Sequence, residues 1–155
     1  MKRVIVILSI AALILINFSC ANENTVELDE SYAIVKSATL FVHGGITFSG
    51  QHTDELIAFA KLYRSKNAKN YFIRLEKEGT NAGKLYALSG LYYLDKKMYN
   101  ELEKKYESSE EPVRYASGCL FRDTTIGDMV RDIYSDEFPM QLVRYIESTH
   151  MTPLY

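Results

Sequence analysis

The chain has 155 residues, 47% of them hydrophobic, and carries 18 basic and 20 acidic residues that are interleaved along its length. This length is sufficient to bury one hydrophobic core, and we predict a single domain. The near balance of charge and the absence of a Lys/Arg cluster argue against nucleic acid as a partner.

The N-terminal segment has the three parts of a secretory signal peptide. Lys2 and Arg3 form a basic start, residues 4–16 form an apolar run, and residues 17–20 form a short polar exit. The apolar run is shorter than the roughly 20 residues that a stable helix across a hydrocarbon core requires. We therefore predict export, with residues 1–19 as a removable signal peptide and not as a transmembrane anchor.

Cys20 follows a small residue, Ser19, at the end of the apolar run. The segment resembles the lipobox of bacterial lipoproteins, with Asn17 in place of the usual aliphatic residue. The resemblance implies that Cys20 becomes an acylated, palmitate-bearing N-terminus and that residues 20–30 form a polar tether. The alternative is ordinary signal cleavage after Ala21, which would remove Cys20 and release the protein.

Either cleavage leaves Cys119 as the one thiol of the mature chain, so no internal disulfide can form. We predict that residues 31–155 form one helical domain stabilised by its hydrophobic core. Without Lys2 and Arg3 the net charge is about −4, so membrane association should come through the lipid and not through charge.

The region before residue 50 allows two predictions. Residues 28–38 can be helical, and β-prone runs lie on both sides of Gly44-Gly45. A two-residue Gly-Gly turn favours a short β-hairpin near 39–49. An isolated hairpin is marginal without a sheet to join, so a glycine-rich loop between helices is the preferred alternative.

After residue 50, apolar residues recur at helical spacing in several segments. Thr53 and Asp95 are candidate N-caps, and Thr125 with Asp128 has the spacing of a capping box. Residues 113–121 are ambiguous between a short helix and an extended segment, because Gly118 interrupts both patterns.

The helix predicted from Asn81 to Leu94 should be central, because no charged residue occurs between Lys84 and Asp95. Its predicted core residues are Leu85, Leu88 and Leu91.

A strip of small residues, Gly83, Ala87 and Gly90, follows one side of this helix. A ligand groove is the functional interpretation of such a strip. Close packing of a neighbouring helix explains the glycines more simply, and we prefer it.

Helices joined by short turns predict an all-α fold of stacked helical hairpins, similar in arrangement to helical-repeat proteins. No fixed sequence period is detectable, so this architecture rests on geometry and not on a repeat match.

Candidate catalytic chemistry is sparse. His43 precedes Gly44-Gly45 as in the oxyanion loop of esterases, but no Gly-x-Ser-x-Gly motif accompanies it. His43 and His52 flank one loop without further ligands at metal spacing, so we prefer turn or surface histidines to a metal site. Cys119 lies in an apolar stretch and is predicted to be a buried structural thiol. We therefore predict no catalytic residue, no metal and no cofactor.

The chain contains 12 tyrosines and no tryptophan. Those at core spacing should pack with the phenol at the core boundary, namely Tyr63, Tyr71 and Tyr86. Ordinary half-buried packing is the preferred interpretation for the rest. The candidates for contact with a ligand or partner are His43, His52, Tyr93, Tyr99 and Tyr115.

Residues 82–91, followed by Val113 and Gly118-Cys119, are similar to uncharacterised exported bacterial proteins, which implies envelope residence and no particular activity. We predict a lipid-anchored cell-envelope protein that acts as a non-enzymatic binding module for an envelope or secreted protein. A small envelope hydrolase using Cys119 or His43 is the alternative.

Overall fold

The computed structural model describes residues 25–46, 52–131 and 138–149, and the predicted signal peptide and Cys20 lie outside them. Within these ranges the chain forms seven helices and a three-stranded sheet. In chain order the elements are α1 (25–36), β1 (Phe41–Ile46), α2 (Asp54–Arg64), α3 (Ala68–Glu78), α4 (Asn81–Leu94), α5 (Lys96–Tyr106), β2 (Pro112–Gly118), β3 (Leu120–Thr125), α6 (Ile126–Arg131) and α7 (Phe138–Ser148).

The mainly helical character is confirmed, and so are the predicted caps. The Thr53 hydroxyl accepts a hydrogen bond from the Leu56 amide at 3.3 Å, and the Asp95 carboxylate accepts one from the Met98 amide at 3.0 Å. Thr125 likewise accepts from the amide three residues later, at 3.0 Å. Each cap satisfies an amide that has no partner within its own helix.

Helix α4 is central, as its uncharged sequence predicts. It packs against α3, α5 and α7 and also contacts strands β1 and β2. The predicted core residues Leu85, Leu88 and Leu91 are fully buried.

The small-residue strip on α4 serves close packing. A Cβ atom added to Gly90 would lie 2.5 Å from the ring of Phe72 on α3. A Cβ added to Gly83 would lie 3.0 Å from the Val35 carbonyl oxygen of α1. The predicted helix contact is thus confirmed, and the strip is filled by protein atoms.

The sheet is the main departure from an all-α fold. Strand β1 pairs in parallel with β2, and β2 pairs antiparallel with β3. Neither the glycine-rich loop nor a local hairpin describes residues 41–46, because their partner is a strand far along the chain. Residues 47–49, the other half of the predicted hairpin, lie outside the described residues.

The ambiguous segment 113–121 is extended. The two-residue turn Gly118-Cys119 joins strands β2 and β3. Ser117 before the turn and Leu120 after it form the pair of the β2–β3 ladder that is next to the turn. Gly118 has a φ of +58°, a left-handed conformation that glycine adopts without steric cost. The glycine that interrupts the strand pattern in the sequence is therefore the residue that makes the turn.

The hydroxyl of Tyr86 on α4 satisfies the outer edge of strand β1. It accepts a hydrogen bond from the Val42 amide at 3.1 Å and lies 3.5 Å from the Leu40 carbonyl oxygen. Burial raises the pKa of Tyr86, so the phenol stays neutral. Its phenol thus lies in the core and not at the predicted boundary, whereas Tyr63 and Tyr71 are half-buried as predicted.

Helix α1 includes residues 25–30, which the sequence analysis assigned to the polar tether. Its Tyr32 and Val35 are buried in the core, and its Glu27 forms an ion pair with Lys61 of α2 at 2.7 Å. Residues 25–30 are therefore helical and join the folded part of the chain. No helix among the described residues is long and apolar enough to cross a membrane.

Replacement of Leu88 by aspartate should reduce the free energy of unfolding by about 4 kcal/mol or more, because it places an unpaired carboxylate at a fully buried position. Urea denaturation followed by circular dichroism measures this loss. Leu94→Asp is the matched control at the exposed end of the same helix. It should reduce the free energy of unfolding by less than half as much as Leu88→Asp does. A Leu88→Asp variant as stable as the parent would contradict the central position of α4.

Candidate protein-interaction surface

The two candidate histidines lie on different elements. His43 is on strand β1, where its side chain falls outside the described residues. His52 is exposed just before α2, and its Nδ1 atom lies 3.1 Å from the Tyr145 hydroxyl of α7. Among the described residues, no group of three or more His, Cys, Asp or Glu is placed to hold a metal ion.

The three candidate tyrosines have different surroundings. Tyr93 is 45% exposed near the end of α4, and its ring contacts Tyr92 edge-on. Tyr99 is buried and donates a hydrogen bond to Glu103, so its prediction as a surface contact is wrong. Tyr115 is half-buried on β2 and stacks on the Phe41 ring. These tyrosines therefore do not form one recognition surface.

Cys119 is exposed in the turn between β2 and β3, and its prediction as a buried thiol is wrong. That prediction used the apolar neighbours Leu120 and Phe121 as evidence of a core. Both neighbours are themselves exposed, because they lie on a strand at the edge of the sheet. The apolar composition around Cys119 thus predicts the wrong environment for this thiol.

The most exposed large hydrophobic side chains among the described residues are Leu120 and Phe121, at 60% and 56%. They are adjacent in sequence, so their side chains emerge on opposite faces of β3. We call the group formed by Arg114, Leu120, Phe121, Arg122 and Asp123 the hairpin surface. Apolar groups exposed beside charged ones at a sheet edge are typical of sites that contact another protein.

An open depression of about 430 Å³ adjoins this surface and is lined by Thr39, Leu40, Arg114 and Phe121. Arg114 and Phe121 are on one face of the sheet, because their cross-strand partners are Asp123 and Ala116 and the side chains alternate along each strand. The depression therefore combines an aromatic wall, an aliphatic wall and a guanidinium group.

The two arginines of the hairpin surface differ in their partners. The Arg114 Nε atom lies 3.6 Å from the Asp123 carboxylate on the neighbouring strand, and both side chains are exposed. Arg122 forms no ion pair with any residue in the part of the chain that the structure describes. The hairpin surface thus carries an excess of positive charge on a chain whose net charge is −2.

The sequence pattern that indicates this surface is a glycine-containing turn with a strand-like segment on each side. Val113, Tyr115 and Ser117 alternate with Arg114 and Ala116 in the manner of a strand. In the sequence alone Gly118 interrupts the pattern of a strand, so the hairpin and its exposed tip do not follow from it.

A buried carboxylate lies elsewhere, between α3 and α5. The Glu76 Oε1 atom accepts hydrogen bonds from Lys105 Nζ at 2.6 Å and from the Tyr106 hydroxyl at 2.9 Å. Burial by itself would raise the Glu76 pKa, but these two hydrogen bonds hold the pKa below its ordinary value. Burial and the Glu76 carboxylate together raise the pKa of Tyr106 to about 12. Because each group is satisfied within the cluster, we interpret it as a structural link between the two helices.

We expect this link to make stability depend on pH. The folded-state pKa of Glu76 lies below the ordinary value of 4.5, so its contribution is complete above that pH and is lost as the pH falls through the folded-state pKa. A Glu76→Gln variant should lower the free energy of unfolding by about 1 to 3 kcal/mol near neutral pH and should flatten its acid dependence. Tyr106→Phe removes one of the two donors to Glu76, and its free energy of unfolding should lie between those of Glu76→Gln and the parent. Urea titrations of each protein along a pH series measure both effects. If the free energy of unfolding falls equally steeply at acid pH in Glu76→Gln and in the parent, the link is contradicted.

Comparison of the chain with protein-family models, with curated proteins and with solved structures finds no match in any of the three.

Proposed function

We propose that this protein is exported, is tethered to a bacterial membrane by a lipid on Cys20, and binds another envelope or secreted protein without catalysing a reaction. The observation that carries the proposal is the exposure of Leu120 and Phe121 at the end of the hairpin. Exposing two adjacent large apolar side chains is unfavourable in water, and burial against a partner removes that cost.

The composition of the hairpin surface supports a protein partner. Aromatic residues and arginine are enriched at the centres of protein interfaces, and this surface contains Phe121, Arg114 and Arg122. The adjoining depression provides a concave feature that a partner side chain can fill. Its lining is mixed apolar and cationic, which suits an apolar side chain close to a carboxylate.

The position of the hairpin in the fold supports the proposal further. The hairpin is attached to the rest of the fold through its strand β2. Val113 and Ala116 of β2 are buried, and β2 contacts both β1 and α4. The successive contacts of α2 with α3, α3 with α4 and α4 with α5 support a stack of helical hairpins as the scaffold. A surface fixed to such a scaffold loses little conformational entropy on binding.

Export and lipidation are tested by the mature N-terminus. In a bacterial host that processes lipoproteins, we expect mass spectrometry to find Cys20 as the first residue with an acyl modification. Cys20→Ser should abolish the modification and release the domain from the membrane fraction. An unmodified N-terminus at Asn22 in the parent protein would contradict lipidation while leaving export intact.

Binding through the hairpin surface is tested by affinity capture from envelope extracts. A Leu120→Ser/Phe121→Ser double variant should lose a protein that the parent domain retains through salt washing. Its stability should stay within about 1 kcal/mol of the parent, because both side chains are exposed. The matched control is Val26→Ser/Ile57→Ser, which changes two exposed apolar side chains on α1 and α2 and should retain the partner.

Equal retention of the partner by the hairpin variant and the parent would contradict this assignment of the surface.

The non-enzymatic part of the proposal is tested on esterase, peptidase and glycosidase substrates. Turnover that Cys119→Ala or His43→Ala abolishes would overturn it in favour of the hydrolase alternative.

A further inference from the structure

The two edges of the sheet differ in the hydrogen-bond partners of their outward main-chain groups. At the β1 edge, the Tyr86 hydroxyl hydrogen-bonds the Val42 amide and lies near the Leu40 carbonyl oxygen. A side chain of α4 therefore covers that edge at residues 40–42. Strand β3 forms the opposite edge, since the strand order is β1-β2-β3.

The hairpin register determines which main-chain groups of β3 face outward. Ser117 and Leu120 close the two-residue turn as a hydrogen-bonded pair, and such pairs alternate with non-hydrogen-bonded ones along an antiparallel ladder. Leu120 and Arg122 therefore direct their N–H and C=O groups towards β2, whereas Phe121 and Asp123 direct theirs away from it. The register agrees with Pro112, which has no N–H and lies opposite Thr125 at a non-hydrogen-bonded position.

The outward groups of Phe121 and Asp123 have no hydrogen-bond partner among the described residues. Their spacing of two residues is the repeat with which a further antiparallel strand would pair. Free donors and acceptors at this spacing make a sheet edge a template for an added strand.

The side chains of β3 indicate what such a strand would carry. Arg122 is exposed and forms no ion pair within the described residues, so an acidic side chain opposite it would gain a charge partner. Phe121 emerges on the other face, where an apolar side chain opposite it would cover the ring and reach the depression. Asp123 on that face already has Arg114 as its partner.

We propose that an extended segment of the partner protein adds to β3 as a fourth strand, with an acidic side chain opposite Arg122 and an apolar side chain opposite Phe121. This inference rests on the proposed function, since it assigns the partner's binding mode at the same surface. Main-chain hydrogen bonds to Phe121 and Asp123 supply affinity, and the two side-chain positions supply selectivity.

A second copy of this chain fits the edge less well. Symmetric antiparallel pairing centred on Phe121, Arg122 or Asp123 would place Leu120, Arg122 or Thr124 opposite Arg122, so in none of these registers does the guanidinium gain an acidic partner. A segment of different sequence can supply one.

The probe is a short synthetic peptide, blocked at both ends, that alternates valine and glutamate and so presents glutamate on the Arg122 face and valine on the Phe121 face. The comparison probes are the same peptide with lysine for glutamate and the same peptide with alternate amides N-methylated on the edge facing β3. Amide hydrogen exchange and chemical shifts of the mature domain, observed by NMR, measure binding. We expect the valine-glutamate peptide to slow exchange at the Phe121 and Asp123 amides and to bind about tenfold more tightly than the lysine peptide. The N-methylated peptide should not slow exchange.

Arg122→Glu should reverse the preference between the glutamate and lysine peptides, because the favourable cross-strand charge pair becomes repulsive. The matched control is Arg144→Glu, an exposed arginine on α7, which packs against β1 at the other side of the sheet. It should keep the parent preference. Circular dichroism confirms that both variants are folded.

Strand addition is overturned if the glutamate peptide leaves the Phe121 and Asp123 amides unprotected, or if Arg122→Glu leaves the preference unchanged. Protection of these amides in the free protein that grows with its concentration would assign the edge to a second copy instead and would also overturn it. If strand addition fails while capture still depends on Leu120 and Phe121, the proposed function stands and binding occurs through side chains alone.

Discussion

Helix α4 has no solvated face over residues 82–91, where only Lys84 is partly exposed, and its exposed residues, Tyr93 and Leu94, lie at its end. Phe72 of α3 occupies the space over Gly90, and the end of α1 approaches Gly83 so closely that a side chain there would meet main-chain oxygen atoms. Helices α5 and α7 and strands β1 and β2 cover the remaining sides. Burying this one apolar helix brings elements from both ends of the described chain into a common core.

The Tyr86 hydroxyl on α4 links this core to strand β1. The Tyr86 hydroxyl would be costly to bury without partners, and the edge of β1 supplies them. The same contact occupies the outward main-chain groups of Leu40 and Val42, with which another chain could otherwise pair. At the other edge, β3 has no such cover from the described residues and exposes Leu120 and Phe121. The sheet is thus closed where it meets the helices and open where we propose that it meets a partner.

The charged clusters within the helical part have structural explanations. Glu76 joins α3 to α5 through Lys105 and Tyr106, and Glu78 receives hydrogen bonds from Tyr32 and Lys36 of α1. These carboxylates are satisfied by neighbouring helices, whereas the Arg122 guanidinium on β3 has no charge partner among the described residues. An exposed arginine beside exposed apolar groups is a composition typical of surfaces that contact another protein.

The sequence by itself determined the helices after residue 50, their caps and the buried leucines of α4, because helical periodicity and capping act between residues within one or two turns. Only the tertiary structure decided that residues 41–46 pair with β2, that the Tyr86 phenol lies in the core and that Cys119 is exposed. Strand partners and exposure at a sheet edge depend on residues far apart in the chain. An apolar run such as residues 119–121 has the same composition at the edge of a sheet as at its centre, so its surroundings cannot be inferred from local sequence.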